Sequence, residues 1–237
     1  MRFEKNIDVS KSVIYFIKYI KDGEMAVYQT MTEMAATELR KAIRRGELPP
    51  GTRLIPSKLE SDLNLSRVSI REAIRELAGS GLVEIITNVG AHVASPPSLE
   101  ELKEIFEARL VVEPKLAVEA SRKIKDEQMD TLLGFCSEME KEPLPGRGYF
   151  YLNRSFHEFL YAVSEWKTLC RITSQFMDQI LFSRLLGDRS FLDFKVNNEE
   201  HRLILKAVKE KDQDKITQRI KTHITSGLAD LIQVRGT

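Results

Sequence analysis

The sequence is short of cysteine, of net charge and of long apolar runs, and each shortage excludes a class of protein. Its two cysteines, Cys136 and Cys170, show no CxxC spacing, so we expect free thiols, not a disulfide framework or a cysteine-based metal site. The apolar run over residues 13–20 is far shorter than the roughly 18 residues of a membrane span. Because no signal peptide is recognisable either, we expect a cytoplasmic protein without a membrane partner.

The charges of the chain nearly cancel. Lys and Arg together number 36 and Asp and Glu 35, which gives a formal net charge of +1 over 237 residues. Within residues 30–95, nine basic residues face eight acidic ones. Any affinity for nucleic acid must therefore come from where particular arginines point, since the chain has no bulk basic field.

Residues 57–79 have the spacing of two short capped helices joined by a tight turn. Ser57 and Glu60 fit a capping box, Asn64 suits the left-handed end of a helix, and Ser66 can cap the next helix. That next helix carries apolar residues at i, i+3, i+4 and i+7, namely Ile70, Ala73, Ile74 and Leu77. The pattern predicts a helix-turn-helix whose second helix enters the DNA major groove.

Polar side chains on the predicted second helix supply candidate DNA contacts. Arg67, Arg71 and Arg75 recur at i, i+4 and i+8, and Arg is the commonest specific reader of guanine. Ser66 and Ser69 can donate hydrogen bonds to phosphates or bases. The alternative is a solvated face on which Arg71 and Arg75 pair with the neighbouring Glu72 and Glu76.

Elements on either side complete a winged helix-turn-helix. A capping box at Thr30 and Glu33 opens a preceding helix that runs to Gly46. Residues 82–86 and 91–94 are strand-like, and residues 87–90 between them have turn chemistry, which predicts a wing. Gly90 in that turn can let the backbone approach a phosphate, although an ordinary turn glycine has the same pattern.

The rest of the chain is predicted to be helical. Residues 96–98 form a stiff Pro-containing linker between a DNA-binding domain (30–95) and a helical domain (99–237). We assign no role to the extension over residues 1–29. Predicted helices cover 99–122, 126–141, 149–164, 166–187, 194–210 and 212–233, with a break at 143–146. The expected fold is mainly α, with the winged helix-turn-helix followed by an antiparallel bundle of about six helices around a cavity.

Three of the four histidines fall inside predicted helices of the bundle: His157, His201 and His223. A single histidine beside apolar residues usually belongs to a core or its boundary. Three in one bundle are also a candidate metal site, because imidazole suits zinc, nickel, copper and iron. The spacing of the three in the sequence leaves both interpretations open.

Several segments resemble one family of bacterial transcription regulators. GELPPGTRL, SRVSIREAIREL, SGLVEI and GAHVAS are similar to the DNA-binding domain of the GntR family. EARLVVEPKLAVEAS resembles the first effector-domain helix of its FadR-like branch, of the FCD type. The resemblance covers roughly residues 30 to 233 and implies DNA contacts by Lys58, Ser66, Arg67, Ser69, Arg71, Arg75 and Gly90. Lys58 stands where many relatives have Glu, and Asn88 and Val89 stand where relatives often have Arg, which leaves the operator sequence open.

The resemblance also implies a divalent metal, zinc or nickel, in the helical domain. Members of this branch commonly bind metal through an Asp four residues before a His, plus two later histidines. His157, His201 and His223 occupy the three His positions, and Asn153 occupies the Asp position. A neutral amide offsets less cationic charge than a carboxylate, so we expect weaker metal binding than in relatives. The alternative is a polar cavity without metal.

The resemblance implies a dimeric regulator that responds to a small organic or sugar acid. Arg109 is expected to bind the carboxylate of that effector, unless it is only a helix-surface partner of Glu113. A homodimer would place two recognition helices on a palindromic operator, and release by the effector would relieve repression. One alternative is a structural, metal-bearing dimerisation module that ignores small molecules. The other is a metal-dependent enzyme, which we do not expect because no carboxylate is marked as a general base.

Overall fold

The computed structural model describes residues 30–142, 147–186 and 194–235. The extension over residues 1–29 and the break at 143–146 lie outside the described residues. The described chain divides into two compact units. One comprises residues 30–79 and Val83–Val93, and the other comprises Ser80–Leu82 and the chain from Ala94 onward.

The N-terminal unit contains helices packed beside a small antiparallel sheet. Its elements are α1 (Met31–Arg44), β1 (Arg53–Leu54), α2 (Pro56–Leu63), α3 (Arg67–Gly79), β2 (Val83–Ile86) and β3 (Gly90–Val93). The strand order is β1-β3-β2, so the predicted wing hairpin has a third strand that the sequence did not indicate. In the register, Arg53 stands opposite His92, and Ile86 stands opposite Gly90.

Local capping explains where most of these helices begin and end. The Thr30–Glu33 capping box that opens α1 is present, as predicted. Asn64 ends α2 with a left-handed φ of 55°, and the Oγ of Ser66 accepts a hydrogen bond from the Ser69 amide at 3.1 Å. The Ser57 capping box was a wrong prediction. Helix α2 already begins at Pro56, whose ring presets φ and lacks the N–H that a cap would satisfy.

The apolar stripes of α1 and α3 form the core of this unit. Ile70, Ala73, Ile74 and Leu77 of α3 are all buried, as the i, i+3, i+4, i+7 spacing predicted. They pack with α1, whose own buried positions are Ala35, Ala36, Leu39 and Ile43. Helix α3 is therefore fixed along one side and exposes the other, which carries its arginines.

The second unit is helical, and within the described ranges it contains six helices, which confirms the predicted fold class. They are α4 (Leu99–Lys123), α5 (Asp126–Lys141), α6 (Arg147–Ala162), α7 (Lys167–Leu186), α8 (Phe194–Glu210) and α9 (Gln213–Arg235). A capping box between Ser98 and Glu101 starts α4. None of the helices in the described ranges is long and apolar enough to cross a membrane.

Helix α4 is the central element of this unit, because it packs against α6, α7, α8 and α9. The core around it includes large rings that are almost fully buried, among them Phe106, Tyr149, Phe156 and Tyr161. Cys136 is buried in the same core, Cys170 is partly buried, and both are free thiols. The side chains that α6, α8 and α9 direct toward this interior include polar ones, and these define the candidate site.

Candidate functional site

The three bundle histidines converge on one point. His157 of α6, His201 of α8 and His223 of α9 are all buried, and one donor nitrogen of each lies within 4.8 Å of the others. The Nε2 of His157 is 3.0 Å from the Nε2 of His223 and 3.3 Å from that of His201. Tertiary packing brings together three residues that are 44 and 22 positions apart in the chain.

These distances match the spacing of nitrogens that share a metal ion. Zinc–imidazole bonds of about 2.0–2.1 Å in tetrahedral geometry place two donor nitrogens roughly 3.3–3.4 Å apart. The two closest Nε2 pairs in the cluster, at 3.0 and 3.3 Å, lie at or just inside that spacing. The three rings therefore fit a divalent cation as three imidazole ligands.

Hydrogen bonds on the far side of two rings assign their tautomers. The Tyr161 hydroxyl donates to Glu113 at 2.8 Å, so its oxygen can only accept from the Nδ1 of His157, 3.3 Å away. Glu200 accepts from the Nδ1 of His223 at 2.8 Å and from the Ser226 hydroxyl at 2.7 Å. With both Nδ1 atoms protonated, His157 and His223 in the neutral form that binds metal turn bare Nε2 lone pairs toward each other.

The third ring cannot resolve this conflict. His201 can donate one Nε2–H to His157, which leaves the lone pair of His223 without a partner. The Nδ1 of His201 is buried and makes no well-formed hydrogen bond with a described residue. The main chain of Asn197 acts on this ring in the direction that raises its pKa, but burial and His223 outweigh it and the pKa is lowered overall. When all three rings are neutral, as metal ligands must be, the centre of the cluster lacks positive charge, which either a divalent cation or a proton on His223 beside Glu200 would supply.

The electrostatics keep at least two of the rings neutral, as metal ligands must be. Burial lowers the pKa of His157 well below its usual value, and the nearby His223, His201 and Arg109 lower it further. Burial, with His223, likewise lowers the pKa of His201. Burial raises the pKa of Glu200, but hydrogen bonds from His223 and Ser226 outweigh it and lower the pKa overall.

A buried ion pair connects this cluster to α4. Arg109 donates to Glu113 through Nε at 2.6 Å and through an Nη at 3.1 Å. Glu113 is fully buried and also accepts from Tyr161, whose other neighbour is His157. The pairing of Arg109 with Glu113 was one of the two interpretations, but its placement on the helix surface was wrong. The pair lies inside the bundle because α4 is covered by other helices of the unit.

A cavity opens beside the histidines. Arg109, Asn153, His157 and His223 all line it. Asn153 lies one turn before His157 on α6 and is partly buried, so it has access to the same space. His201 does not line the cavity and lies fully buried behind it. The cavity therefore gives a ligand access to one side of the cluster.

Sequence reasoning missed several residues of this site. Tyr161 lies one turn after His157, and Glu200 directly precedes His201, so their positions beside candidate ligands were a usable signal. Arg184 of α7 also lines the cavity, but nothing in its sequence context indicates that it does.

The arginines of α3 differ in their surroundings. Arg67 donates to Glu60 of α2 at 2.8 and 3.0 Å, and Arg75 pairs with Glu72. Arg71 is exposed and makes no hydrogen bond or ion pair with any residue in the described ranges. Glu76 pairs with Arg40 of α1, so the ion pair that the solvated-face alternative requires is present for Arg75 and absent for Arg71 within the described ranges.

The other predicted DNA contacts lie on the same unit. Lys58 is exposed on α2 and Ser66 is exposed at the start of α3, whereas Ser69 is buried with its hydroxyl 2.8 Å from that of Ser66. Gly90 has a φ of +118°, a backbone conformation that favours glycine. A Cβ at Gly90 would lie 3.6 Å from the Arg53 guanidinium, so Arg53 places a cation beside the wing. Sequence reasoning did not single out Arg53.

The N-terminal unit has the architecture of a DNA reader, and the bundle has that of a ligand-binding domain. The description "Bacterial regulatory proteins, gntR family" matches residues 31–93, and "FCD domain" matches residues 104–226. The chain belongs to the GntR family of bacterial transcription regulators and carries an FCD domain. Members of this family are DNA-binding regulators, not enzymes, which confirms the resemblance stated from the sequence.

Individual relatives cover most of the chain. An uncharacterized HTH-type transcriptional regulator, YdhC of Bacillus subtilis, is 30% identical over 190 residues, which are 78% of this chain and 84% of that protein. The gluconate operon transcriptional repressor of Bacillus licheniformis is 28% identical over 215 residues, 86% and 84% of the two chains. The solved structure of E. coli McbR/YncC has a TM-score of 0.75 at 20% identity, covering 86% of this chain and 98% of that one, so it shares the fold.

Proposed function

We propose that the protein is a dimeric repressor whose FCD domain holds a divalent metal, zinc or nickel, and binds a small carboxylate effector beside it. His157, His201 and His223 are the metal ligands, and Asn153 adds a neutral oxygen from the cavity side. Effector binding lowers the affinity with which α3 binds a palindromic operator. When bound, the metal supplies a Lewis-acidic centre that attracts a carboxylate.

The observation that carries the metal proposal is the convergence of three buried imidazole nitrogens at the centre of the histidine cluster. In the neutral rings that a metal requires, Tyr161 and Glu200 engage the Nδ1 hydrogens of His157 and His223, which leaves two lone pairs 3.0 Å apart. A divalent cation satisfies all three Nε2 atoms at once. Hydrogen-bonded partners behind metal-bound histidines fix their orientation and basicity, and Glu200 and Tyr161 are placed for that role.

The effector proposal is supported by the cavity and by one relative. The cavity wall carries Arg109 beside His157 and His223, so an acid can meet a guanidinium and the metal together. Glu113 engages two N–H groups of Arg109 and leaves the others for a ligand. The gluconate operon repressor indicates a sugar acid as the first candidate and repression as the output.

The candidate DNA contacts are proposed to have different tasks. Arg71 is the strongest candidate for a base contact, because no ion pair within the described ranges must break before it reaches a guanine. Before Arg67 and Arg75 can contact DNA, their ion pairs with Glu60 and Glu72 must break. Ser66 and Ser69 at the start of α3, together with Lys58, Arg53 and Gly90, are proposed to position the unit on phosphates.

The decisive experiment combines metal content with operator binding. The protein is stripped with a chelator, reloaded with zinc or nickel, and footprinted at fixed salt on DNA that flanks its own gene. We expect a protected palindrome, a metal stoichiometry of one per chain, and release of the DNA by gluconate or a related acid in the metal-loaded form only. A protein that binds no metal, yet responds fully to an acid, would refute the metal site.

The alternative of a purely structural bundle makes a different prediction in the same assay. Zinc would then raise the stability of the dimer and its DNA binding, while no acid in a panel of organic and sugar acids would change the footprint. His223→Gln and Arg71→Ala serve as matched variants, because they alter the two sites separately. His223→Gln should lose the metal and keep its operator affinity. Arg71→Ala should keep the metal and lose operator affinity.

A further inference from the structure

Three arginines line the cavity beside the histidine cluster, and two of them are neutralised by carboxylates. Arg109 is held by Glu113 through two hydrogen bonds. Arg154 pairs with Asp178 and, at 2.6 Å, with Glu158. Neither brings net positive charge to a ligand, because each is matched by a carboxylate within direct contact.

Arg184 is the exception. It is partly buried beside the cavity and forms no ion pair with any carboxylate in the described ranges. One Nη donates to the main-chain oxygen of Gly227 at 2.9 Å, and the guanidinium carbon lies 5.6 Å from the centre of the Phe150 ring. Burial lowers the pKa of Arg184 below its usual value, and the more distant Asp230 offsets only part of this. A partly buried cation without a direct counter-ion is destabilising unless something else supplies the negative charge.

Helix α9 carries a glycine at the point where the Arg184 guanidinium contacts it. Gly227 follows His223 by one turn of α9, so the two lie about 6 Å apart along the helix axis. A Cβ at Gly227 would come within 3.4 Å of the Arg184 Nη, closer than most such contacts. The glycine therefore leaves room for the cation one helical turn from a candidate metal ligand.

We infer that Arg184 binds an anionic group of the effector, so that the effector spans from the histidine cluster to this guanidinium. This rests on the proposed function, in that it assumes an acid enters the cavity. After one N–H donates to Gly227, the guanidinium still has four N–H groups, and two of them can make a bidentate contact with a carboxylate. The ligand class is then a small acid with a second polar group, such as a hydroxy acid or a dicarboxylate.

The test measures binding of acids to the zinc-loaded full-length protein by calorimetry. The probes are gluconate and citrate, with acetate as the acid that lacks a second polar group. We expect gluconate or citrate to bind more tightly than acetate. Arg184→Met should weaken that binding by roughly 10- to 100-fold, the range of a lost charge-assisted contact, while zinc content stays at the wild-type value. Arg171→Met is the matched control, because Arg171 is an exposed arginine on the same helix.

Two further variants separate a binding role from a structural one. Arg184→Lys keeps the charge but loses the planar fork, so it should restore part of the affinity. Gly227→Ala should weaken acid binding by displacing the guanidinium, without loss of zinc. A structural Arg184 would instead show a lowered unfolding temperature in Arg184→Met and an unchanged affinity in the folded fraction, and this result would overturn the inference.

The outcomes also distinguish this inference from the function on which it rests. Acids that bind the wild type and Arg184→Met equally would remove Arg184 from the site and leave the effector proposal intact. If zinc-loaded wild-type protein binds none of the acids, the carboxylate effector itself is refuted, and the assignment of Arg184 is refuted with it.

Discussion

Replacing His201 by Ala should abolish the stabilisation of the helical domain by zinc. A ligand at one hundred times its Kd stabilises the folded state by about 2.7 kcal/mol. For a domain of this size, each kcal/mol corresponds to roughly 2–4 °C in Tm, so zinc should raise the wild-type Tm by roughly 5–11 °C. His201→Ala removes one of three ligands, so the same zinc concentration should shift the Tm of the variant little.

The metal-free variant provides a second check on the magnitude. The Nδ1 of His201 is buried without a well-formed hydrogen bond, and such a group costs about 1–3 kcal/mol. Removing it offsets part of the packing lost with the ring. We therefore expect His201→Ala to lose less stability in chelator than a truncation of the fully packed Phe156 would.

The assay can follow the helical domain alone. Trp166 is the only tryptophan of the chain and lies in the helical unit, so its fluorescence reports the unfolding of that unit. Melting curves are recorded in chelator and in excess zinc, and zinc content is measured on the same samples. His92→Ala is the control, because it removes the one histidine of the DNA-binding unit. An equal zinc-induced shift in wild type and His201→Ala would refute the three-histidine site.

Three further perturbations test other parts of the structure. Arg71→Ala should cost about 1–3 kcal/mol of operator affinity in a fluorescence anisotropy titration, and an unchanged Kd would remove Arg71 from the base contacts. Asn153→Asp should tighten zinc binding on the order of tenfold in a chelator competition, because a carboxylate offsets cationic charge, and unchanged binding would show that residue 153 does not face the metal. Ser98→Ala should lower the stability of the helical domain by about 1 kcal/mol in urea, since Ser98 caps the α4 amide of Glu101 at 3.2 Å, whereas Ser95→Ala should change it little.

Local signals in the sequence determined most of the secondary structure. Helix caps depend on contacts over three residues, so Thr30, Ser66 and Ser98 could be recognised without knowledge of the fold. The buried stripe of α3 followed from its period alone. The predicted capping box at Ser57 was wrong because a different local signal, proline in the first turn, sets the start of α2. Strand β1 was missed because two residues carry no periodicity, and its pairing partner lies about forty residues away.

The chemistry of the bundle depends on long-range packing that no local pattern encodes. The sequence could identify His157, His201 and His223 as candidate ligands. Only the packing of α6, α8 and α9 brings the Nε2 atoms of His201 and His223 within 3.3 Å of the Nε2 of His157. Burial is likewise a tertiary property. It turned the Arg109–Glu113 pair from an expected surface contact into an interior one, and it left Arg184 partly buried without a carboxylate in direct contact. The sequence by itself determined the family, the helices and the identity of the candidate ligands, because these rest on residues close together in the chain. The tertiary structure decided which charges are paired and which face the cavity, because desolvation and ion pairing depend on neighbours contributed by other helices.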